Sequence, residues 1–147
     1  MKIYIATDHR GLEAENKIID YLKSNGIEIE KSVIPHNDTD DYVDFAEDIS
    51  KKVASDKDSF GILICGTGIG MSIAANKIKG IRASRCVSKD DAYLTRTDNN
   101  ANVLCISYKL DLETIYEIVK TFIETPFSTE ERHIRRVNKI TKLENGD

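Results

Sequence analysis

The sequence predicts an α/β fold of three layers, Rossmann-like and flavodoxin-like, with a five-stranded parallel sheet and helices on both faces. Two observations predict it. Short β-rich runs alternate with longer stretches of helical apolar spacing from end to end. One of those runs, Phe60-Gly61-Ile62-Leu63-Ile64-Cys65, delivers a cysteine into the loop Gly66-Thr67-Gly68-Ile69-Gly70, after which a helix should begin. Glycines there let the backbone turn sharply and leave N–H groups free to gather around an anion, and such a setting encourages a thiol to ionise.

The strands read as Lys2 to Thr7, Ile27 to Val33, Gly61 to Cys65, Ile81 to Val87 and Asn102 to Ser107. Crossover helices fall at about Gly11 to Ser24, Val43 to Ala54, Gly70 to Ile78 and Lys89 to Thr97. In the first helix Ile18, Ile19, Tyr21 and Leu22 supply the buried face and Gly26 ends it. Pro35 to Asp41, with Asn37, Asp38, Thr39 and Asp40, is a turn cluster, and nothing singles out its His36. After the last strand, Leu112, Ile115, Ile118, Val119 and Phe122 predict a helix over Asp111 to Glu124, ended by Pro126. A final helix over about Thr129 to Leu143 carries Ile134, Val137, Ile140 and Leu143 on one side and is capped by Ser128 or Thr129. Five strands already suffice for the core, so this C-terminal helix is expected to reach beyond the sheet to a partner subunit.

The 147 residues fit a single domain over 1–147, large enough to fold without disulfides or metals. A net charge of −4 argues against general nucleic-acid affinity, so any anion site must be local. No apolar run approaches a membrane span and the N-terminus lacks the apolar core of a signal peptide, so the protein reads as cytoplasmic. Cys65, Cys86 and Cys105 show no Cys-x-x-Cys spacing and read as reduced thiols. Three scattered histidines give a metal site little support, and no cofactor is expected.

In an open parallel sheet, ligands bind outside the carboxyl ends of the strands. The candidates at those ends are Asp8 and His9, then Cys65 with Gly66 to Gly70, and Asp98, Asn99 and Asn102 from the region before the fifth strand. Together they offer a carboxylate, an imidazole, a thiol and an anion-binding backbone. The glycines lack the last glycine of a dinucleotide fingerprint, because Met71 stands there, and no Lys-Ser or Lys-Thr comes after them as a P-loop requires. Arg132 and Arg136, four apart on one helical face, are spaced to grip a phosphate, or else form a solvated face paired with Glu130 and Glu131. His133 and Arg135 project elsewhere and read as surface or interface residues.

With these motifs the chain resembles the ribose 5-phosphate isomerase B family, which includes the galactose 6-phosphate isomerase subunits. The likeness is carried by Gly61 through Lys77, Gly80-Ile81-Arg82-Ala83, Asp8-His9, Asp41-Tyr42, Asn99 through Leu104, and Arg132-His133 with Arg136-Val137. The resemblance implies a metal-free aldose–ketose isomerase that takes a phosphorylated sugar through a cis-enediolate, working as a homodimer or homotetramer. It implies that Cys65 is the base, that Thr67 assists ring opening and that the N–H groups of Gly66, Gly68, Ile69 and Gly70 stabilise the enediolate. Asp8 and Asn99 would hold hydroxyls, Tyr42 would line the pocket, and His9, Arg132 and Arg136 would bind the phosphate, the arginines arriving from the partner.

The chain also departs from the family pattern. Asp98 stands where the family has its ring-opening histidine, and a carboxylate of ordinary pKa is a poor proton donor at pH 7. Lys109 replaces a substrate-site arginine, keeping charge but losing bidentate geometry. Val43 comes after Asp41-Tyr42 in place of proline, and Glu130-Glu131 replace glycines. Ribose 5-phosphate is the default substrate. A galactose 6-phosphate-like sugar, or a non-catalytic sugar-phosphate-binding subunit, are the alternatives these departures leave open.

Overall fold

The computed structural model describes residues 1 to 146; Asp147, the last residue of the expected domain, lies outside the described residues. The strands are β1 (Lys2–Thr7), β2 (Glu28–Lys31), β3 (Ser59–Cys65), β4 (Ala83–Arg85) and β5 (Val103–Ser107). The helices are α1 (Leu12–Ser24), α2 (Tyr42–Ser55), α3 (Ile69–Ala75), α4 (Lys89–Asn99), α5 (Leu112–Glu124) and α6 (Glu131–Glu144). All pairings are parallel, in the order β2-β1-β3-β5-β4. The three-layer Rossmann-like class therefore holds, with β4 and β5 exchanged relative to the 2-1-3-4-5 flavodoxin order. Burial explains the exchange. Every residue of β5 is buried, as an interior strand requires, whereas the three residues Ala83-Ser84-Arg85 of β4 are suited to an edge.

Strand alternation feeds two cores. Ile3, Ile5, Ile62, Ile64, Leu104 and Ile106 face α1, α4 and α5, where Ile18, Leu22, Ile118 and Phe122 meet them. Ala6, Leu63, Cys65, Val103 and Cys105 face the other way, against Phe45, Ile49 and Val53 of α2 and Met71 and Ala75 of α3. Helices α1 and α3 thus leave opposite faces from the neighbouring strands β1 and β3. That divergence opens a crevice at the carboxyl ends of these two strands.

Several expected boundaries shift. Strands β2 and β4 are shorter than their apolar runs, because both are edge strands with one neighbour to pair with. Helix α3 stops at Ala75, where the side chain of Asn76 turns away to bond both the N–H and C=O of Ala83 at 2.8 and 2.9 Å. The cap expected of Ser128 or Thr129 is not made: α6 begins after Glu130 without a side-chain cap, and Ser128 Oγ accepts the N–H of Glu130 at 3.0 Å instead. Of the four apolar residues expected on one side of α6, Val137 is buried, while Ile134, Ile140 and Leu143 are exposed.

Candidate active site

The crevice between β1 and β3 is built largely from backbone. Cys65 ends β3 with its side chain buried, and the N–H of Gly68 donates to its sulfur at 3.1 Å, where a thiolate's charge would sit. Gly68 makes this possible with φ +79°, a left-handed turn in which a Cβ would stand 3.2 Å from the backbone of Ile106. Ser107 Oγ donates to the C=O of Gly66 at 2.7 Å, tying the loop to β5. The same hydroxyl accepts the N–H of Lys109 at 3.0 Å, which brings that lysine's backbone to the crevice. Thr67 Oγ1 accepts the N–H of Ile69 at 3.1 Å, and Arg85 holds the Thr67 C=O at 2.9 Å.

The other wall comes from β1 and α2. Asp8 comes directly after β1, its N–H bonded to the C=O of Ile64 at 3.3 Å and its carboxylate to the N–H of Arg10 at 3.0 Å. Tyr42 opens α2 and lies on Gly70 so closely that a Cβ there would fall 2.7 Å from its ring. His9 is fastened by Asp40, which meets its Nδ1 at 2.7 Å and its backbone N–H at 3.1 Å. Asp40 also meets Nδ1 of His36 at 2.8 Å. This grouping was not legible in the sequence, where Asp40 and His36 are ordinary members of a polar turn. Asp8, His9, Tyr42, Cys65, Thr67 and the glycine loop are therefore brought together, with the backbone of Lys109 beside them and its Nζ near the ring of Tyr108.

Asp98, Asn99 and Asn102 are not part of that crevice, which corrects the expectation that one chain gathers all of them. A crossover helix runs back along the strands, so α4 ends at the amino edge of the sheet. The register makes this plain: Gly61 donates to the C=O of Asn102 at 2.9 Å, whereas Cys65 pairs with Ser107 at the opposite end. Four residues of strand separate the two levels, about 13 Å. The packed side chains of Leu63, Val103 and Cys105 fill the interval. Buried Arg96 fixes the amino-edge turn, bonding the C=O of Ala101 at 2.6 Å, Asn100 Oδ1 at 2.9 Å and the C=O of Thr125 at 3.1 Å. Arg82 adds a bond to the C=O of Asn99 at 3.0 Å.

Helix α6 joins this second cluster. Its His133, expected at the surface, turns inward with only 12 % of its side chain exposed, and its Nε2 lies 3.7 Å from Asp98 Oδ1. Arg132 and Arg136 are exposed; Arg132 pairs with Glu130, and Arg136 makes no ion pair among the described residues. Arg135 pairs with Glu131 at 2.7 Å. Each chain thus carries two separate groups of candidate residues, a thiol and anion cradle at the carboxyl edge and a carboxylate, imidazole and arginine group at the amino edge. Burial pushes the Cys86 thiol up to about 11 and Cys105 well above its ordinary value, leaving both inert beside Cys65. Among the described residues no cluster of His, Cys, Asp and Glu is grouped to hold a metal, and no helix is long and apolar enough to cross a membrane.

Residues 3–140 match a family described as ribose/galactose isomerase. A probable ribose-5-phosphate isomerase B of Mycoplasma genitalium is 44% identical over 149 residues, covering 97% of this chain and 95% of its own. Ribose-5-phosphate isomerase B of Clostridium thermocellum superposes with a TM-score of 0.92 at 39% identity, covering 99% of both chains. The Mycoplasma genitalium enzyme with bound ribulose-5-phosphate superposes with a TM-score of 0.93 at 39% identity, over 99% of this chain and 97% of that one.

Proposed function

We infer the reaction from one premise: the chain belongs to the ribose/galactose isomerase family. It is an aldose–ketose isomerase that interconverts ribose 5-phosphate and ribulose 5-phosphate. The observation that carries the assignment of residues is the Cys65 sulfur, at the carboxyl end of β3 with the Gly68 N–H upon it and Asp8 and His9 across the crevice. In the open-chain aldose, Cys65 takes the proton from C2 as a cis-enediolate forms, the hydroxyl proton passes from O2 to O1, and Cys65 returns a proton to C1 to leave the ketose. Backbone N–H groups of Gly66 and Gly70 stabilise the enediolate oxygens, while those of Gly68 and Ile69, expected to join them, hold Cys65 Sγ and Thr67 Oγ1 in place. Asp8 orders sugar hydroxyls, Tyr42 forms a wall, Thr67 assists ring opening and His9 meets the phosphate. Lys109 adds positive charge at the rim.

Asn99, Asp98, Arg132 and Arg136 complete the site from a second copy of the chain. The core separates the two groups within one chain, so one subunit cannot close both around a single sugar phosphate. A two-fold dimer that sets the amino edge of each copy against the carboxyl edge of the other makes two complete sites, and two such dimers a homotetramer. Helix α6 then reaches the partner's substrate. Asp98 acts in ring opening beside the imidazole of His133, whose Nε2 lies 3.7 Å from Asp98 Oδ1. Asp98 and Lys109 also favour a second reading of substrate range, in which a six-carbon sugar phosphate of the galactose 6-phosphate kind is accepted. The thiols Cys65, Cys86 and Cys105 suit the reducing cytoplasm, where we place the protein.

The test is NMR in deuterated water with a panel of five- and six-carbon aldose and ketose phosphates. Interconversion of ribose 5-phosphate that disappears in Cys65→Ala, while phosphate ligands still bind, is the expected result. Undiminished turnover in that variant would remove Cys65 from its role.

A further inference from the structure

Asp40 stands between two histidines from separate segments. Its side chain is only 5 % exposed. One oxygen takes both the backbone N–H of His9 and its ring Nδ1, at 3.1 and 2.7 Å; the other meets Nδ1 of His36 at 2.8 Å. His36 is itself immobilised, stacked on Phe45 with ring centroids 4.9 Å apart and planes inclined by 18°. Phe45 in turn is buried on α2, three residues beyond Tyr42. Burial alone would push the Asp40 carboxyl up, but the hydrogen bonds from His9 and His36 outweigh it and hold the group at about 2.

An ionised carboxylate only accepts hydrogen bonds, so each imidazole must turn a protonated Nδ1 toward Asp40. That fixes the tautomer of His9 and leaves Nε2 as its one ring atom free for a ligand. Because the same oxygen also takes the His9 backbone N–H, ring and main chain are held as one unit. The carboxylate behind the ring balances the positive charge that the imidazole carries when Nε2 donates to a phosphate oxygen.

We propose that Asp40, braced by His36, is the positioning residue that orients His9 for the substrate's phosphate. The proposal rests on His9 being a phosphate ligand, as inferred above. Asp40 and His36 touch no substrate; they act through the His9 ring, which arrives already ordered and loses less freedom on binding. A role confined to phosphate binding acts on KM and leaves the chemical step at Cys65 alone.

Nitrogen-15 NMR of the unaltered protein should find His9 protonated at Nδ1 in its neutral form; a bare Nδ1 would overturn the proposal without recourse to any variant. In steady-state kinetics with ribose 5-phosphate, Asp40→Asn is expected to raise KM about tenfold with kcat held within about threefold. His36→Asn should move KM the same way by less, and remains informative if Asp40→Asn fails to fold. In a His9→Gln background, Asp40→Asn should add nothing further, since its effect passes through the ring already removed. Equal effects of Asp40→Asn in both backgrounds would make Asp40 merely structural and end the proposal. A raised KM in His9→Gln with an unchanged KM in Asp40→Asn would end the proposal alone, whereas an unchanged KM in His9→Gln would reject the phosphate role of His9 beneath it.

Discussion

At the carboxyl edge of the sheet the candidate groups are held by main chain and buried contacts, with Gly68 at φ +79° placing an N–H on Cys65 and Tyr42 packed against Gly70. At the amino edge, only about 13 Å away along the strands, Asp98 at the end of α4 and Arg132 and Arg136 in the first two turns of α6 are partly or fully exposed, and Arg132 is occupied by its neighbour Glu130. On the proposed assignment of residues, the difference teaches how labour is divided. Groups that stabilise a developing charge must be fixed before reaction, so they sit where backbone geometry fixes them. Groups that grip the ligand can be brought by another surface, and their solvated charges wait there at little cost to folding.

The comparison is tested most severely at Cys65. Removing the proposed base by Cys65→Ala should lower kcat by about three orders of magnitude, measured by the coupled ketose assay, with phosphate ligands still bound in calorimetry. Next comes Gly68→Ala, which forces an L-residue to φ +79° with its Cβ 3.2 Å from Ile106 backbone. It should displace the donor from sulfur and reduce kcat by about a hundredfold with KM little changed. At the other edge, Arg136→Ala should raise KM for ribose 5-phosphate by about ten- to a hundredfold and leave weak neutral-sugar binding unaffected; equal losses for both would dissolve the proposed division.

The two edges can then be set against each other in one tube. At ribose 5-phosphate far below the raised KM of Arg136→Ala, Cys65→Ala and Arg136→Ala subunits, unfolded and reassembled together, should regain about a quarter of the native activity, because in the proposed dimer each mixed pair contains one intact composite site. No recovery would mean that both edges act within one chain. The smallest effect concerns acid stability. The folded carboxyl of Asp40 lies at about 2, below its ordinary unfolded value near 4, so the unfolded chain binds the additional proton. The stabilisation is full above about pH 4 and is lost as pH falls towards about 2. Acid titration monitored by circular dichroism should give a shallower decline in Asp40→Asn.

The carboxyl edge was legible in the sequence because its determinants are local: an apolar strand, a cysteine and glycines within eleven residues, Phe60 to Gly70. The fold class was legible for a similar reason, since alternation of period two and helical spacing are properties of short windows. The amino edge was misread in position, though the clue was present. A helix between parallel strands must return to their amino ends, so residues at the end of α4 could not face the same crevice as Cys65. The β4 and β5 exchange turns on which of two short strands is fully buried, a tertiary matter. The inward turn of His133 and the bridging role of Asp40 depend on segments far apart in the chain, His9 and Asp40 being 31 positions apart, and no spacing rule reaches across an irregular loop.

The seating of Tyr42 on Gly70 makes two distant positions share a single volume. A Cβ at 70 would lie 2.7 to 3.0 Å from three atoms of that side chain, so neither residue can grow unless the other shrinks. Across relatives the two positions should therefore trade size, with a bulkier residue at 70 accompanied by a smaller one at 42. Room for an additional carbon of substrate would then be gained by changing a wall residue on α2, while the loop that carries the thiol keeps its shape.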